Sequence, residues 1–233
     1  MKRLILFVLL VGLYGFVWPF SVLFTQTNKE SYGTDAWINQ QISIIKSQGT
    51  SIDTKVLRLS LIAYVNAKKR GISRNNLLTI IDYSKPSSEK RLWVFDLKRN
   101  KTLFYTWVSH GKNSGGLKPN SFSNKQGSLK SSIGVFTTDF RPYVGGNGYS
   151  LRLNGLESGI NDKAYQRAVV IHGAWYVNSD TIRRYGQIGR SWGCPAVSLD
   201  VAKSLIDTIK SKTLVFAYYP DANWLKRSRF LST

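Results

Sequence analysis

The chain has 233 residues, 42% of them apolar and 13% aromatic, enough for a genuine core and incompatible with an intrinsically disordered chain. A single Cys excludes an intramolecular disulfide, and with only two His it leaves little room for a zinc site, so no metal or other cofactor is expected. The formal net charge of +20 points to polyanionic surroundings, whether nucleic acid, anionic lipid or a carboxylate-rich wall polymer, unless it serves only solubility and surface attachment.

In chain order, Lys2-Arg3 precede an uncharged, mostly apolar run from Leu4 to Phe24, and the next charge is Lys29. A positive start followed by an apolar stretch is what the export machinery requires. The run is near bilayer-spanning length and longer than an ordinary signal core. Residues 1–25 are therefore read as a signal peptide or a retained signal anchor. The two basic residues would keep the N-terminus inside and send the rest out. Export to the periplasm or cell envelope follows, with the inner membrane as a partner if the segment is kept. That compartment disfavours nucleic acid, and no nucleic-acid motif is present.

Residues 26–76 form a helical preface. Ile38, Ile42 and Ile45 fall at helical spacing before Gly49, and Leu57, Leu61, Tyr64 and Val65 do so before Gly71. From residue 77 to 222 the texture changes to short β-like runs separated by Gly, Ser and Asn turns. Arg91–Leu97 and Leu103–Ser109 read as a hairpin, Ala168–His172 and Thr213–Tyr219 as buried strands, and Val201, Leu205 and Ile209 as a helix between those two. The expectation is a mainly β domain with short helices, α+β overall once the preface is counted. The Ser114–Ser132 segment and Gly145–Gly148 lack the context of phosphate loops and are expected as ordered loops on the rim of a site. Residues 223–233 close the chain as a basic tail.

Chemistry converges on two places. Val169-Val170-Ile171-His172-Gly173 puts a histidine at the end of an apolar strand, where its ring is held rigidly. Ser191-Trp192-Gly193-Cys194-Pro195 places the only thiol in a tight turn, shortly before the helix that follows Ser198. A thiol attacks a carbonyl as thiolate, and a nearby imidazole or helix N-terminus promotes that form. Glycine before the nucleophile permits a sharp turn and lets the Gly193 and Cys194 amides face a developing oxyanion; Pro195 has no N–H to offer. Taken singly, Cys194 reads as an inert buried thiol and His172 as a structural histidine. The combination points to nucleophilic acyl transfer.

The stretches Ile171-His172-Gly173 and Gly189-Arg190-Ser191-Trp192-Gly193-Cys194-Pro195-Ala196 resemble the active-site signature of murein L,D-transpeptidases, in the branch whose motif ends Gly-Arg-Ser-x-Gly-Cys-Pro-Ala. Val108–Gly115 and Ser150–Leu156 are similar to the same branch. The resemblance implies an L,D-transpeptidase-like β domain that cleaves the meso-diaminopimelate–D-alanine bond of a peptidoglycan stem through a cysteine thioester. It implies Cys194 as nucleophile, His172 as base and the Gly173 carbonyl as the group that orients it. The family's usual second histidine is Trp192 here, and Pro195-Ala196 replace the polar residue that often follows the cysteine. Ser191, Trp192, Arg190 and Arg152 are the substrate-binding candidates, the arginines because a guanidinium pairs bidentately with a carboxylate. His110, the second histidine, is an accessory candidate. Another envelope Cys–His peptidase, such as a sortase or a papain-like enzyme, and a non-catalytic wall-binding protein are the competing readings.

Overall fold

The computed structural model describes residues 31–232, so the export segment expected over residues 1–25 lies outside the described residues. Among those described, no helix is long and apolar enough to cross a membrane.

Two helices come first, α1 (Asp35–Ser47) and α2 (Thr54–Lys69). Each begins where a side chain replaces a missing helical acceptor. Thr34 Oγ1 accepts from the Trp37 amide at 3.2 Å, and Asp53 Oδ1 accepts from Lys55 and Val56 at 2.8 and 3.0 Å. Both helices stop just before a glycine in the left-handed region, Gly49 at φ +73° and Gly71 at φ +68°. Ile38, Ile45, Val56, Leu57, Leu61, Tyr64 and Val65 are buried in the main core, as the helical spacing predicts.

Nine strands then form one mixed sheet. β1 (Leu77–Asp82), β2 (Leu92–Asp96) and β3 (Lys101–Thr106) make an antiparallel meander, with Asn100 at φ 53° closing the β2–β3 turn. β4 (Gly134–Thr138), β5 (Tyr143–Gly145), β6 (Gly148–Gly155), β7 (Val170–Gly173), β8 (Ala196–Val197) and β9 (Leu214–Tyr218) complete it. The spatial order is β3-β2-β1-β9-β4-β6-β7-β8, with β5 on β6. β9 enters the middle, parallel to β1 and antiparallel to β4. A strand covered on both faces should be apolar throughout, and every residue of β9 is buried.

Among the described residues three further α-helices follow, α3 (Ser179–Tyr185), α4 (Leu199–Ile209) and α5 (Ala222–Arg227). α4 turns Leu205, Ile206 and Ile209 into the core and packs across β7 and β6. Gly173 makes that approach possible: a Cβ there would lie 2.9 Å from Ala202 Cβ and 3.0 Å from Leu199 Cδ2.

The chain end, expected as a basic tail, is docked. Trp224 and Phe230 are fully buried. The Trp224 indole donates to both Glu157 oxygens at 3.2 and 3.0 Å, Ser228 Oγ donates to the same carboxylate, and the Val135 amide reaches it at 2.7 Å. Asn66 of α2 donates to the Phe230 and Ser232 carbonyls, each at 2.9 Å. A buried carboxylate is tolerable only when so satisfied, and here the donors tie the last residues to β4 and α2.

Candidate active site

β7 lies between β6, antiparallel, and β8, parallel, with His172 opposite Ser150 on one side and Ala196 on the other. Residues two apart in a strand share a face. Val170 and His172 therefore face the same way, and Arg152, opposite Val170 in β6, joins them. Cys194 stands two residues before Ala196, which carries it beside Val170. The thiol is half-buried, is favoured as thiolate by the neighbouring Val170 amide and points its own proton at the Ala168 carbonyl, 3.8 Å away. Ala168 itself has a left-handed backbone, φ 53°, a costly conformation for a residue with a Cβ.

The turn that carries Cys194 is held from three directions. Ser191 Oγ accepts from the Gly193 amide at 3.1 Å and donates to the Cys194 carbonyl at 2.5 Å. Ser131 Oγ donates to the Gly193 carbonyl at 3.1 Å while accepting from the Gly111 amide at 2.9 Å. The Ser191 amide donates to the His110 carbonyl, and the Lys112 amide to Ser191, at 2.9 and 2.8 Å. Gly193 has φ +123°, and a Cβ on it would come within 2.9 Å of the Lys130 carbonyl oxygen, so only glycine fits. The Ser114–Ser132 segment, expected on the rim of a site, is thus packed directly against the cysteine turn.

The amides behave differently from the expectation of two oxyanion donors. Gly193 spends its N–H inside the turn, on Ser191 Oγ. Among the described residues no hydrogen bond engages the Cys194 N–H, and that single amide is the one free to face an oxyanion. Between Cys194 and the N-terminus of α4 the chain runs through β8 (Ala196–Val197) and Ser198.

His172 is 6% exposed. Its Nδ1 lies 2.9 Å from the Gly173 carbonyl oxygen, an acceptor, so Nδ1 carries the proton and Nε2 is left as the basic nitrogen. Burial pushes the imidazole pKa down, partly offset by that bond to Gly173. Burial pushes the Cys194 thiol up, with the Val170 amide and the Arg167 guanidinium pulling the other way. The resting pair is therefore neutral imidazole and thiol, not a preformed ion pair, and no hydrogen bond joins the two side chains.

His110 belongs elsewhere. Its ring is fully buried, its Nδ1 is 2.8 Å from Arg91 Nη2, and its Nε2 faces the Gly115 carbonyl at 3.4 Å. Burial and Arg91 push its pKa down to about 4. An arginine can only donate, so His110 is a neutral acceptor bracing the loop, with no face left for a substrate. Arg152 lies over the rings of Tyr143 and Tyr165 at 5.4 and 5.0 Å and donates to the Tyr165 carbonyl at 3.1 Å. Arg190 donates to the Gly115 carbonyl at 3.1 Å and borders an open groove of about 660 Å³ whose other walls include Trp175, Tyr176, Arg184 and Tyr185. Trp192 is 76% exposed at the tip of the turn.

The strand histidine and the cysteine turn that the structure brings side by side belong to a stretch matched by a sequence model of the L,D-transpeptidase catalytic domain over residues 48–218. The chain belongs to the L,D-transpeptidase catalytic domain family. Solved L,D-transpeptidases are distant in sequence. One from Mycobacterium smegmatis is 15% identical, with 62% of this chain and 59% of that chain covered and a TM-score of 0.38. L,D-transpeptidase 1 of Mycobacterium tuberculosis is 15% identical over 62% of each chain, TM-score 0.35. The L,D-transpeptidase of Stackebrandtia nassauensis is 11% identical over 80% of this chain and 92% of its own, TM-score 0.38. No curated protein gave a significant match. Family membership thus stands on the sequence match, and this L,D-transpeptidase domain is mainly β with short helices, as its residues predict.

Two features of the site escaped the sequence. α3 and the small apolar cluster of Ala174, Val177, Ile188 and Ala196 support the segment between His172 and Cys194. Arg167, in the turn before β7, places a guanidinium against the cysteine turn.

Proposed function

We propose that this protein is an exported murein L,D-transpeptidase in which Cys194 is the nucleophile and His172 the base. The observation that supports the reading is the β7–β8 pairing, which aligns His172 with Ala196, two residues after the chain's only thiol, together with the His172 Nδ1 proton directed at the Gly173 carbonyl. The substrate is the tetrapeptide stem of peptidoglycan, and the bond cleaved joins meso-diaminopimelate to D-alanine.

His172 Nε2 takes the Cys194 proton as Sγ attacks the stem carbonyl. Charge develops on the carbonyl oxygen, which the Cys194 amide faces. The C–N bond breaks, and D-alanine leaves with the proton held on Nε2. An acceptor amine, or water, then gives a proton to Nε2 and attacks the thioester, and the thiol is restored. Because both partners rest neutral, proton transfer accompanies attack. Substrate must first draw the thiol proton away from the Ala168 carbonyl.

Arg152 and Arg190 are the guanidiniums available for stem carboxylates, and neither is tied up by a carboxylate of its own among the described residues. The +20 charge suits an acidic wall polymer. Mass spectrometry of digested murein incubated with the enzyme tests the reading. The expected products are released D-alanine together with new diaminopimelate-linked stems or tripeptides. Unchanged tetrapeptide stems would rule it out in favour of a wall-binding protein.

A further inference from the structure

Arg167 is half-buried, and all its hydrogen bonds go to neutral oxygens. Nη1 donates to the Ser123 carbonyl at 2.6 Å and to Ser132 Oγ at 2.5 Å. Nη2 donates to the Lys130 carbonyl at 2.8 Å and to Ser128 Oγ at 3.3 Å. The Lys130 carbonyl is the same one that closes over Gly193, and Arg167 Nη2 would stand 3.7 Å from a Cβ placed there. A desolvated cation without a carboxylate is unfavourable. With both terminal nitrogens committed to the loop, this guanidinium is not free to grip a substrate either.

We infer that Arg167 is a positioning residue for Cys194: its fixed positive charge stabilises the thiolate as it forms, while its fork of donors clamps residues 123–132 onto the Gly193 turn. The inference rests on the reading of Cys194 as the nucleophile. Of the other ionisable groups around the thiol, Tyr83, Tyr176 and His172 carry no charge at neutral pH, while Arg152 shares the face of β6 with Val170 and stacks on Tyr143 and Tyr165, and Lys130 Nζ donates to Ser121 Oγ. Burial holds the Tyr83 hydroxyl at about 12 and raises that of Tyr176, and His172 is neutral. Arg91 stands behind Tyr83, its guanidinium 5.3 Å from that ring. Arg167 is the cation held against the Gly193–Cys194 turn itself, through the Lys130 carbonyl that closes over Gly193, and it favours the thiolate.

Cys194 is the only cysteine in the chain, so the pH dependence of iodoacetamide alkylation, followed by intact mass, reads this one thiol. Arg167→Gln should raise the alkylation midpoint by about one pH unit and slow the reaction about tenfold at pH 7. Arg167→Lys, which keeps the cation but not the fork, should stay near the wild-type midpoint. Ser132→Ala, which removes one clamp but no charge, should leave the midpoint in place. Equal midpoints for wild type and Arg167→Gln would overturn the proposal. So would a full-unit shift in Arg167→Lys or Ser132→Ala, which would make the effect one of loop structure and can be read even if Arg167→Gln does not fold. A wild-type protein that alkylates normally yet never forms an acyl-enzyme would sink the nucleophile reading and leave the charge effect standing.

Discussion

His172 Nδ1 and the Gly173 carbonyl oxygen are 2.9 Å apart, and this one contact decides which ring nitrogen can serve as a base. In the mechanism proposed above, the Gly173 carbonyl takes the place that a carboxylate holds in many catalytic triads, without adding a negative charge to the site.

The pH dependence of acylation follows from that arrangement. Burial lowers the His172 pKa, so the imidazole is already neutral, and competent to accept a proton, at pH 7. The acid limb of the acylation rate should fall below the ordinary histidine value of about 6.5. Stopped-flow acylation across pH 4–9 measures it, and an acid limb above pH 7 would show that the base is not this buried imidazole.

His110 makes stability, not chemistry, sensitive to acid. Its folded pKa is about 4, against about 6.5 for an unfolded histidine. Between those values the unfolded chain binds the extra proton, so stability is complete above about pH 6.5 and declines as pH falls toward 4, by about 3 kcal/mol in all. His110→Asn keeps an acceptor for Arg91. Urea denaturation at pH 7 and pH 4 should show a pH dependence smaller by about that amount in the variant than in the wild type.

Gly193→Ala strains the site itself. The residue sits at φ +123°, and its new Cβ would press to 2.9 Å from the Lys130 oxygen. A destabilisation of about 1–3 kcal/mol is expected, with acylation slowed by at least about a hundredfold because the thiol is displaced. Thermal melting and acylation kinetics on the same preparation check both. A Gly193→Ala enzyme with wild-type rate would mean that the turn tolerates a different backbone.

The docked chain end should be structural. Trp224 is fully buried with its indole on Glu157. Trp224→Ala should cost about 3–5 kcal/mol in urea denaturation, with acylation per folded molecule unchanged. A cost below 1 kcal/mol would contradict the packing described for the C-terminus.

Much of this was legible in the residues. Ile38 and Ile45, or Leu57 and Leu61, mark helical faces at their spacing, and continuous apolar runs such as Leu214–Tyr218 mark strands buried on both sides. The His172 and Cys194 segments were visible as an apolar strand ending in His-Gly and as a glycine-cysteine turn. What was hidden depends on partners distant in sequence. Gly193 looked like an oxyanion donor until Ser191 Oγ proved to hold its amide. His110 looked available until Arg91, nineteen residues away, claimed its ring. The tail looked like a basic stub because Trp224 and Phe230 are too few to announce burial without Glu157 to receive them. α3 did carry a signal, an Asn178 cap whose side chain accepts from Thr181 at 2.8 Å and a left-handed Gly186 at φ +72°, but seven residues show too little periodicity to declare a helix. Arg167 had none: one arginine among 33 Lys and Arg residues gives no hint of which loop it will clamp.

The central claim is that Cys194 is an acylating nucleophile activated by His172. Incubating the purified protein with a carbapenem and measuring its intact mass tests it directly. The expected result is one covalent adduct on the wild type, located on the Cys194 peptide, none on Cys194→Ala, and greatly slowed formation on His172→Ala. An unmodified wild-type protein, or an adduct that survives in Cys194→Ala, would contradict it.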